Sequence, residues 1–292
     1  MSEPSGPELT SIRSPRVKAA RQLAKRAMRL RARSFLAEGP QAVREALARS
    51  GVVSQLFITA AARARHAGLA GEAARQGVPV QAVSGEVMAG LAQTITPQGV
   101  LAVCRYVDVP LAQLAAGAPR LAVILASVRD PGNAGTVLRT ADAAGADGII
   151  FSDASVDAYN SKCVRATAGS LFHLPLVVDV PVAAAVRAMR AAGLRILAAD
   201  GRAGRSLDEA GPDGPGGLPG GPTGWLFGNE AWGLPADVLA LADDVVAVPI
   251  YGKAESLNLA AAAAVCLYAS ARASRAGGTG QASPAGRVPR EQ

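Results

Sequence analysis

The fold is decided by residues 121–153, which read LAVILASVRDPGNAGTVLRTADAAGADGIIFSD. The run LAVILAS is short and almost wholly apolar, which is typical of a strand buried on both faces of a sheet. Pro131 and Gly132 then turn the chain into a helical segment, NAGTVLRTADAAG, and DGIIFSD predicts the next strand. Strand, helix and strand in this order form the repeating unit of a parallel sheet.

The same alternation continues downstream to the last predicted helix. Strands and helices follow one another as LPLVVDV, VAAAVRAMRAAG, LRILAAD, GWLFGNE, LPADVLALAD, DVVAVPI and SLNLAAAAAVCLYASARA. This order predicts a parallel sheet with helices on both faces. A Gly- and Pro-rich run at 211–222, GPDGPGGLPGGP, interrupts it, and we expect a flexible surface loop there.

A smaller α/β unit precedes this one. Its predicted strands are RSFLAEG, VSQLFIT, VPVQAV and QGVLAVCRYV, and its predicted helices are PQAVREALARSG, AARARHAGLAGEAARQG and EVMAGLAQ. We therefore expect two α/β domains, at 15–107 and 120–272, joined by a linker at 108–119. The segments 1–14 and 273–292 are polar and lack periodicity, so we expect them to be disordered tails.

Cationic residues are concentrated before the strands of the first domain. From Arg13 to Arg33 there are nine Lys or Arg and no Asp or Glu, and the whole chain carries a net charge of +7. The spacing of Leu23, Ala27 and Leu30 predicts a helix through this basic segment. A solvated helix face is the ordinary explanation of a charge run, whereas a polyanionic partner such as RNA explains the missing counter-charges.

Composition argues against several classes of protein. The longest apolar stretch, 257–269, is shorter than a membrane-spanning helix, and the polar start of the sequence contains no signal-peptide core. Three widely spaced cysteines give neither a disulfide framework nor a Cys-x-x-Cys metal site, and two histidines do not support a zinc centre. We expect a cytoplasmic protein without a metal, with buried cysteines, structural histidines and both tryptophans packed rather than stacked on bases.

Three polar clusters follow strands of the second domain, where open parallel sheets place their ligand sites. The first is DPGNAGTVLRTADAAG, residues 130–145, in which Asn133 is positioned to cap a helix and Arg139 lies further along it. Backbone N–H groups at this helix start could hold an anion. An ordinary alternative for Arg139 is an ion pair with Asp142. The glycine pattern is not the GxGxxG of dinucleotide-binding proteins, so an oxidoreductase is not supported.

The second cluster is FGNEAWGLP, residues 227–235, and the third is VPIYGKAESLNLAAAAAVCLYA, residues 248–269. Glycines after a strand let the backbone approach a ligand closely. Glu230 is placed to orient a substrate, to tie two loops together, or to lie in an ordinary turn near a helix N-terminus, where a carboxylate is favourable. Ser256 suits an ordinary helix cap, whereas Asn258 opens a very apolar helix, where a buried amide needs partners. The alanine run lets that helix pack closely on another helix or on its twin in a dimer.

Taken in order, these three motifs resemble those of the SpoU (TrmH) family of RNA ribose methyltransferases, which belongs to the SPOUT superfamily. The resemblance covers residues 120–270. The segment from RSFLAEGPQAVREAL to TITPQGVLAV is similar to the family's N-terminal substrate-binding domain, which resembles ribosomal proteins of the L30 type. The implied fold is a small L30-like α/β domain followed by an α/β domain with a parallel sheet and a deep trefoil knot.

The resemblance implies S-adenosyl-methionine (AdoMet) as methyl donor, bound in the knot largely through backbone groups, and no metal. The matching positions are Leu226, Phe227, Gly228, Ile250, Gly252, Ser256, Leu257 and Leu259. The resemblance also implies a homodimer in which each site lies near the interface and the last helix contributes to that interface.

Five residues take catalytic or positioning roles from the same resemblance. Arg139 matches the arginine of the first motif, which helps to activate the ribose 2′-hydroxyl, and we interpret it chiefly as a stabiliser of the developing alkoxide. Either Arg139 or a substrate phosphate takes the proton. Asn133 positions the ribose or phosphate, and Glu230 holds the loops together. Ser256 and Asn258 orient the substrate and the third loop.

The predicted function is AdoMet-dependent 2′-O-methylation of RNA. Large-subunit (23S) ribosomal RNA is the preferred substrate because the L30-like domain suits it. The alternative is tRNA, whose specific methyltransferases in this family generally lack that domain. A non-catalytic RNA-binding or ribosome-assembly factor of the same fold is a further alternative, which the complete set of polar motif residues disfavours. The basic segment would then contact RNA phosphates.

Overall fold

A computed structural model describes residues 7–209 and 221–276. Most of the predicted Gly- and Pro-rich loop lies outside the described residues, as do residues 1–6 and 277–292 of the predicted tails. In the described part of the first tail, Leu9 donates its N–H to the carbonyl of Ala82 (2.9 Å) and accepts the N–H of Ser84 (3.0 Å). This part of the tail is therefore held against the first sheet.

The first domain contains six helices and four strands within its described residues. They are α1 (Pro15–Gln22), α2 (Arg26–Ala32), β1 (Ser34–Glu38), α3 (Pro40–Ala48), β2 (Val53–Ile58), α4 (Ala60–Arg65), α5 (Ala67–Arg75), β3 (Val80–Ala82), α6 (Gly85–Leu91) and β4 (Val100–Arg105). The sheet has the order β1–β4–β2–β3, in which β4 is antiparallel to both neighbours and β2 is parallel to β3. One predicted helix is divided at His66, whose backbone leaves the helical region between α4 and α5.

The basic segment forms two helices rather than the single helix that its spacing predicts, because Lys25 adopts an extended backbone between them. The apolar side of α1, formed by Val17, Ala20 and Leu23, is buried in a core that α6 shares. Arg29 of α2 is also buried. Part of the positive charge of this segment is therefore structural, and the rest lies on the exposed side.

The linker and the second domain continue the element order. They comprise α7 (Leu111–Ala116), β5 (Leu121–Leu125), α8 (Pro131–Ala144), β6 (Gly148–Ser152), α9 (Ser161–Ala166), a 3₁₀ turn (Ser170–Phe172), β7 (Leu176–Val180), α10 (Val182–Ala191), β8 (Arg195–Ala199), β9 (Thr223–Phe227), α11 (Ala236–Leu239), β10 (Asp244–Val246) and α12 (Leu259–Ala276). Six parallel strands lie in the order β10–β8–β9–β5–β6–β7, which confirms the predicted α/β fold with a parallel second sheet. Helix α12 continues four residues beyond the boundary predicted for the second domain.

The direction of sheet growth reverses at β5. Strands β6 and β7 extend the sheet on one side of β5, and β9 pairs with β5 on the other. Open parallel sheets bind ligands at such a switch point, outside the carboxyl ends of the strands. The first polar cluster follows β5 and the second follows β9, so the topology brings both clusters to one edge of the sheet.

The three cysteines and one of the two tryptophans lie in the core. All three cysteines are buried, as predicted, and burial raises the pKa of Cys266 to about 12. Trp225 is fully buried and donates its indole N–H to the Ser270 hydroxyl (2.9 Å). Trp232, also predicted to pack rather than to stack on bases, lies on the turn after β9 and is 54% exposed. No helix in the described parts of the chain is long and apolar enough to cross a membrane.

A buried ion pair joins the two domains. Arg29 of α2 donates to the carboxylate of Asp157 in the loop after β6 (2.5 Å), and their side chains are only 5% and 11% exposed. The same guanidinium donates to the carbonyls of Leu23 (2.9 Å) and Ala24 (2.8 Å). The buried charge therefore has partners in both domains, which a buried ion requires.

A second set of contacts lies beside this pair. The hydroxyl of Tyr159 donates to the Asp108 carboxylate (2.8 Å) and accepts the N–H groups of Val107 (2.9 Å) and Asp108 (2.8 Å). Arg33 pairs with the same carboxylate (2.7 Å), and the Tyr159 ring packs on Phe35 at 4.8 Å between centroids. These residues, with Arg29 and Asp157, are called the domain junction below.

Candidate active site

The start of α8 is held by a carboxylate. Asp130 caps the helix by accepting the backbone N–H of Asn133 (2.8 Å), and it also accepts the ammonium group of Lys162 on α9 (2.7 Å). The Lys162 hydrogen bond and the Asn133 N–H together lower the pKa of Asp130. The prediction that Asn133 caps the helix is therefore wrong. Because Asp130 does so, the side chain of Asn133 is free to make other contacts.

Glu230 joins the first cluster to the second. Its carboxylate accepts the backbone N–H groups of Arg129 (3.2 Å) and Asp130 (3.1 Å) and the side-chain amide of Asn133 (3.3 Å). Glu230 therefore ties two loops together and also lies at a helix N-terminus, as two of its interpretations from the sequence describe. The loops after β5 and β9 are thereby fixed relative to each other.

Asn258 joins the third cluster to the first. Its side-chain amide donates to Asn133 Oδ1 (3.0 Å), and its own Oδ1 accepts the N–H of Ala260 at the start of α12 (2.9 Å). Asn258 is thus the cap of α12, which corrects the prediction that Ser256 caps this helix. The expectation of a buried amide is also wrong, because Asn258 is exposed, as is Ser256. Glu230, Asn133 and Asn258 form one hydrogen-bonded chain across the three clusters.

Arg139 is not part of that chain. It lies six residues beyond Asn133 on α8, about 240° further round the helix, and therefore on a different face. Its side chain is exposed, and among residues 7–209 and 221–276 it has no hydrogen bond or ion pair. The ordinary partner considered for it, Asp142, instead accepts from His173 Nδ1 (2.7 Å). The structure leaves the guanidinium of Arg139 available.

The surface around Arg139 is shared by two helices. Helix α12 packs along α8, and the hydroxyl of Tyr268 reaches the carbonyl of Ala143 (3.5 Å). The exposed residues on this surface recur at helical spacing on both helices. They are Thr136, Arg139 and Ala143 on α8 and Ala261, Val265 and Tyr268 on α12. Val265 is 44% and Tyr268 45% exposed, which is unusual for large apolar side chains so close together. This set is called the α8–α12 surface below.

The predicted AdoMet positions fall in two groups. Leu226, Phe227 and Gly228 are buried at the end of β9, whereas Ile250, Gly252, Ser256 and Leu257 are exposed in the segment between β10 and α12, and Leu259, the first residue of α12, is partly buried. Both groups follow strands that end at the same edge of the sheet, and Leu259 packs against the core cluster that contains Phe227.

The turn after β9 lies beside a cavity and lets the backbone approach a ligand closely. A Cβ at Gly228 would lie 2.5 Å from the backbone of Gly233, so only glycine fits there. A cavity of about 460 Å³ adjoins this turn, with mostly apolar walls that include Trp232 and Leu234, and with the ion pair of Asp200 and Arg202 (2.7 Å) at its edge. Apolar walls and an approachable backbone fit a ligand with an aromatic base, whereas the Asp200 carboxylate is already paired with Arg202.

Sequence reasoning missed Lys162 and Asp200. Asp200 ends the predicted strand LRILAAD, and Lys162 begins the helix after the next strand beyond β5. The rule that strand ends collect functional residues would have selected Asp200. Lys162 carried no such signal, because its contact with Asp130 spans 32 residues of sequence. No group of three or more potential metal ligands occurs among the described residues.

Two family models match the chain. The SpoU rRNA Methylase family matches residues 120–268, and the MRM3-like substrate binding domain matches residues 14–102. A 23S rRNA (guanosine(2553)-2′-O)-methyltransferase of Bacillus subtilis (strain 168) is 32% identical over 261 residues, covering 89% of this chain and 98% of that protein. A 23S rRNA (uridine(2479)-2′-O)-methyltransferase of Streptomyces viridochromogenes is 39% identical over 155 residues, 52% of each chain.

Solved structures share the whole architecture. An AdoMet-bound rRNA methyltransferase from Sinorhizobium meliloti superimposes with a TM-score of 0.78 at 33% identity, covering 91% of this chain and 97% of that one. The SpoU methyltransferase AviRb from Streptomyces viridochromogenes, in complex with AdoMet, gives a TM-score of 0.75 at 31% identity, covering 91% and 100%. The deep trefoil knot expected from the sequence goes with this fold family.

Proposed function

The chain belongs to the SpoU rRNA methylase family, and from that premise we propose that it transfers a methyl group from AdoMet to a ribose 2′-hydroxyl of 23S rRNA. The observation that carries the proposal is the hydrogen-bonded chain Glu230–Asn133–Asn258, which links the three motifs at the switch point of the sheet. The 2′-O-methyltransferase names of the relatives from B. subtilis and S. viridochromogenes support the choice of the ribose hydroxyl. The proposed compartment is the cytoplasm, where ribosomes work.

AdoMet, when bound, supplies an activated methyl group on a cationic sulfur. The backbone of Leu226, Phe227 and Gly228 would form one wall of its site, because Gly228 leaves room for close approach. The segment from Ile250 through Gly252, Ser256 and Leu257 to Leu259 would cover the other side. Asn258 anchors the end of that segment to Asn133, so closure of the segment and placement of the ribose are coupled.

Arg139 would stabilise the alkoxide that forms as the 2′-hydroxyl loses its proton. A ribose hydroxyl is a weak nucleophile at neutral pH, and a guanidinium remains charged, so its contribution is electrostatic. Arg139 has no carboxylate partner within the described chain, which leaves its full charge for the substrate. Asn133 and Ser256 would position the ribose or the adjoining phosphate, and Glu230 would keep Asn133 oriented.

A second copy of this chain would complete the site. Arg139 faces away from the Glu230–Asn133–Asn258 chain and lies on the α8–α12 surface beside Val265 and Tyr268. Burial of these apolar side chains by the same surface of a twin chain gives a two-fold dimer, the commonest symmetric assembly. Each Arg139 would then serve the motif residues of the partner chain.

The test uses 23S rRNA from a strain lacking this gene and AdoMet with a tritiated methyl group. We expect label in 23S rRNA at a nuclease-resistant linkage. Arg139→Ala should lower kcat by roughly 10²–10³-fold, the effect of removing one charge-stabilising donor, with AdoMet affinity retained. Arg187→Ala, which removes an exposed arginine on α10, should leave kcat unchanged. Label only in tRNA would overturn the substrate, and equal loss of kcat and AdoMet affinity would remove the role of Arg139.

Mixed dimers test the exchange of Arg139 between chains. Arg139→Ala and Asn258→Ala subunits are each expected to be inactive alone. In a mixed dimer, the chain with intact Asn258 would receive the intact Arg139 of its partner, so mixing should restore activity. A mixture as inactive as its components would show that Arg139 acts within its own chain.

A further inference from the structure

A cavity of about 260 Å³ lies between the two domains, separate from the candidate active site. Its walls come from the start of α3, the loop that joins α6 to β4, and α9 of the second domain. The inner wall is apolar, with Met88, Val100 and Ala168, and the rim is polar, with Gln41, Thr94 and Gln98. Small-molecule sites have this composition, with apolar walls and a few polar groups that fix orientation.

A buried carboxylate sets the position of both walls. Glu38, whose side chain is 7% exposed, accepts from Arg165 of α9 (3.4 Å), from the N–H of Gln93 (2.9 Å) and from the Thr94 hydroxyl (3.3 Å). The loop of the first domain and the helix of the second therefore meet on one group. Arg165 lines the cavity, and its bond to Glu38 occupies one of its five N–H donors.

Gly39 and Gln98 lie at the mouth of this cavity. Gly39 has φ +90°, and a Cβ at this position would lie 3.1 Å from the side-chain oxygen of Gln98. The positive φ favours glycine at this position, and the Gln98 side chain lies against it at the mouth of the cavity. The Gln98 side chain has no hydrogen bond to any described residue and is exposed, so its amide can donate and accept.

Helix α9 connects this cavity to the candidate active site. Lys162, in the first turn of α9, bonds to Asp130 beside Asn133, and Arg165 follows three residues later on the same side of the helix. Lys162 and Arg165 are therefore about one helical turn apart, or about 5 Å along the axis of α9. A single strand that places one ribose at Asn133 can place the base of a flanking nucleotide in the cavity.

This inference rests on the proposed methylation of RNA. We propose that the interdomain cavity binds the base of a nucleotide flanking the methylated one and so selects the target sequence. The base would be splayed out of the strand, stack on the guanidinium of Arg165 and present its edge to the amides of Gln41 and Gln98. Proteins read single-stranded RNA in this way, by stacking on flat side chains and bonding the exposed edge. Recognition then needs both domains, because the walls belong to both.

Two variants that alter the cavity and one matched control test the proposal. Gln98→Ala removes an amide at the rim, and Ala92→Phe fills the cavity from the end of α6. Gln93→Ala removes an amide from the same loop that does not line the cavity. For the first two we expect the KM for rRNA to rise about tenfold, the scale of removing the stacking or bonding of one base, with kcat and AdoMet affinity little changed. The control should match the wild type.

The second part of the test uses altered RNA substrates and follows once the methylated nucleotide has been mapped. Short rRNA fragments with an abasic site at each flanking position are assayed with the wild type and with Ala92→Phe. We expect one position where the abasic site raises the KM of the wild type but not that of Ala92→Phe. Wild-type methylation with no such position, or with both cavity variants equal to Gln93→Ala, would overturn the cavity as a base site. A wild type that methylates no RNA would overturn the proposed function itself.

Discussion

The domain junction and the α8–α12 surface show two opposite ways of placing arginine. At the junction, Arg29 is 5% exposed and bonds to Asp157 and two carbonyl groups. On the α8–α12 surface, Arg139 is exposed, has no partner within the described residues and lies beside half-exposed Val265 and Tyr268. In the first region every charge is paired within the chain, whereas the second leaves a cation and two apolar side chains exposed.

The two regions differ in role: one arginine fixes the structure, and the other is available to a ligand. The junction sets the angle between the two domains, and a paired buried ion is suited to that because breaking it is costly. Under the proposed function, the charge of Arg139 is available to the substrate because no described residue pairs with it. Substitutions in the junction should therefore affect folding, and substitutions on the surface should affect assembly and catalysis.

The largest effect is expected from Asp157→Ala. This change leaves the guanidinium of Arg29 buried without its carboxylate, which should lower the free energy of unfolding by about 3–5 kcal/mol. Asp153→Ala is the matched control, because that exposed carboxylate of the same loop bonds only to the next backbone N–H among the described residues. Denaturant titration of both variants measures the difference. Equal stability of the two would show that the junction ion pair does not hold the domains together.

The next effect is expected from Val265→Glu on the α8–α12 surface. A charge placed in the centre of this apolar surface should prevent dimer formation, and kcat should fall about tenfold or more because Arg139 loses its partner site. Arg187→Glu is the control, since Arg187 is exposed on α10, away from this surface. Analytical ultracentrifugation gives the mass and a methylation assay gives kcat. A fully active monomer would contradict the shared site.

A smaller effect is expected from neutralising the exposed side of the basic segment. Lys18, Arg21 and Lys25 are exposed on or beside α1, whereas Val17, Ala20 and Arg29 are structural. Replacing the three cations by Gln should flatten the dependence of log affinity on log salt by about 0.9 for each phosphate that is no longer neutralised on a duplex-like site. Filter binding at several salt concentrations measures the slope. Lys18→Arg with Lys25→Arg keeps the charge and should keep the slope. An unchanged slope in the Gln variant would show that the exposed side of the basic segment is a solvated face that contacts no RNA phosphate.

The smallest effect concerns pH and a further link between the domains, at His173. His173 bonds to Asp142 (2.7 Å) and to Glu45 of α3 (3.2 Å). Burial opposes the charged imidazole, but the two carboxylates outweigh it and raise the pKa of His173. Its stabilisation should be complete below the unfolded pKa of about 6.5 and should be lost as pH rises through the folded pKa.

Since the His173 side chain is 43% exposed, we expect less than about 1 kcal/mol from it. The measurement is the melting temperature of the wild type against that of His173→Gln from pH 5 to 9. The two curves should converge at high pH. A constant gap across the range would show that the histidine stabilises the link by packing rather than by charge.

The sequence predicted the order of elements because alternation of strands and helices is a local pattern. It also selected Asn133, Glu230 and Asn258, which the structure joins in one chain. The sequence could not predict which residue caps α8, because Asp130 and Asn133 are both suitable caps near its start. Only the structure shows that Asp130 accepts the capping N–H, whereas the Asn133 side chain bonds to Glu230. The pairs Arg29–Asp157 and Glu38–Arg165 span 128 and 127 residues of sequence, and no local pattern identifies such partners.

The central position of β9 has a consequence for how the chain folds. Leu121 of β5 pairs with Thr223 of β9, so the middle of the sheet stays unfilled until about a hundred further residues have been added. Strands β5 and β8 each present an unpaired edge during that interval, since β9 is the neighbour they share. Contacts of such long range make folding slow, and open strand edges are prone to pair with other chains. The second domain should therefore depend on dilution or on chaperones until residue 227 has emerged from the ribosome.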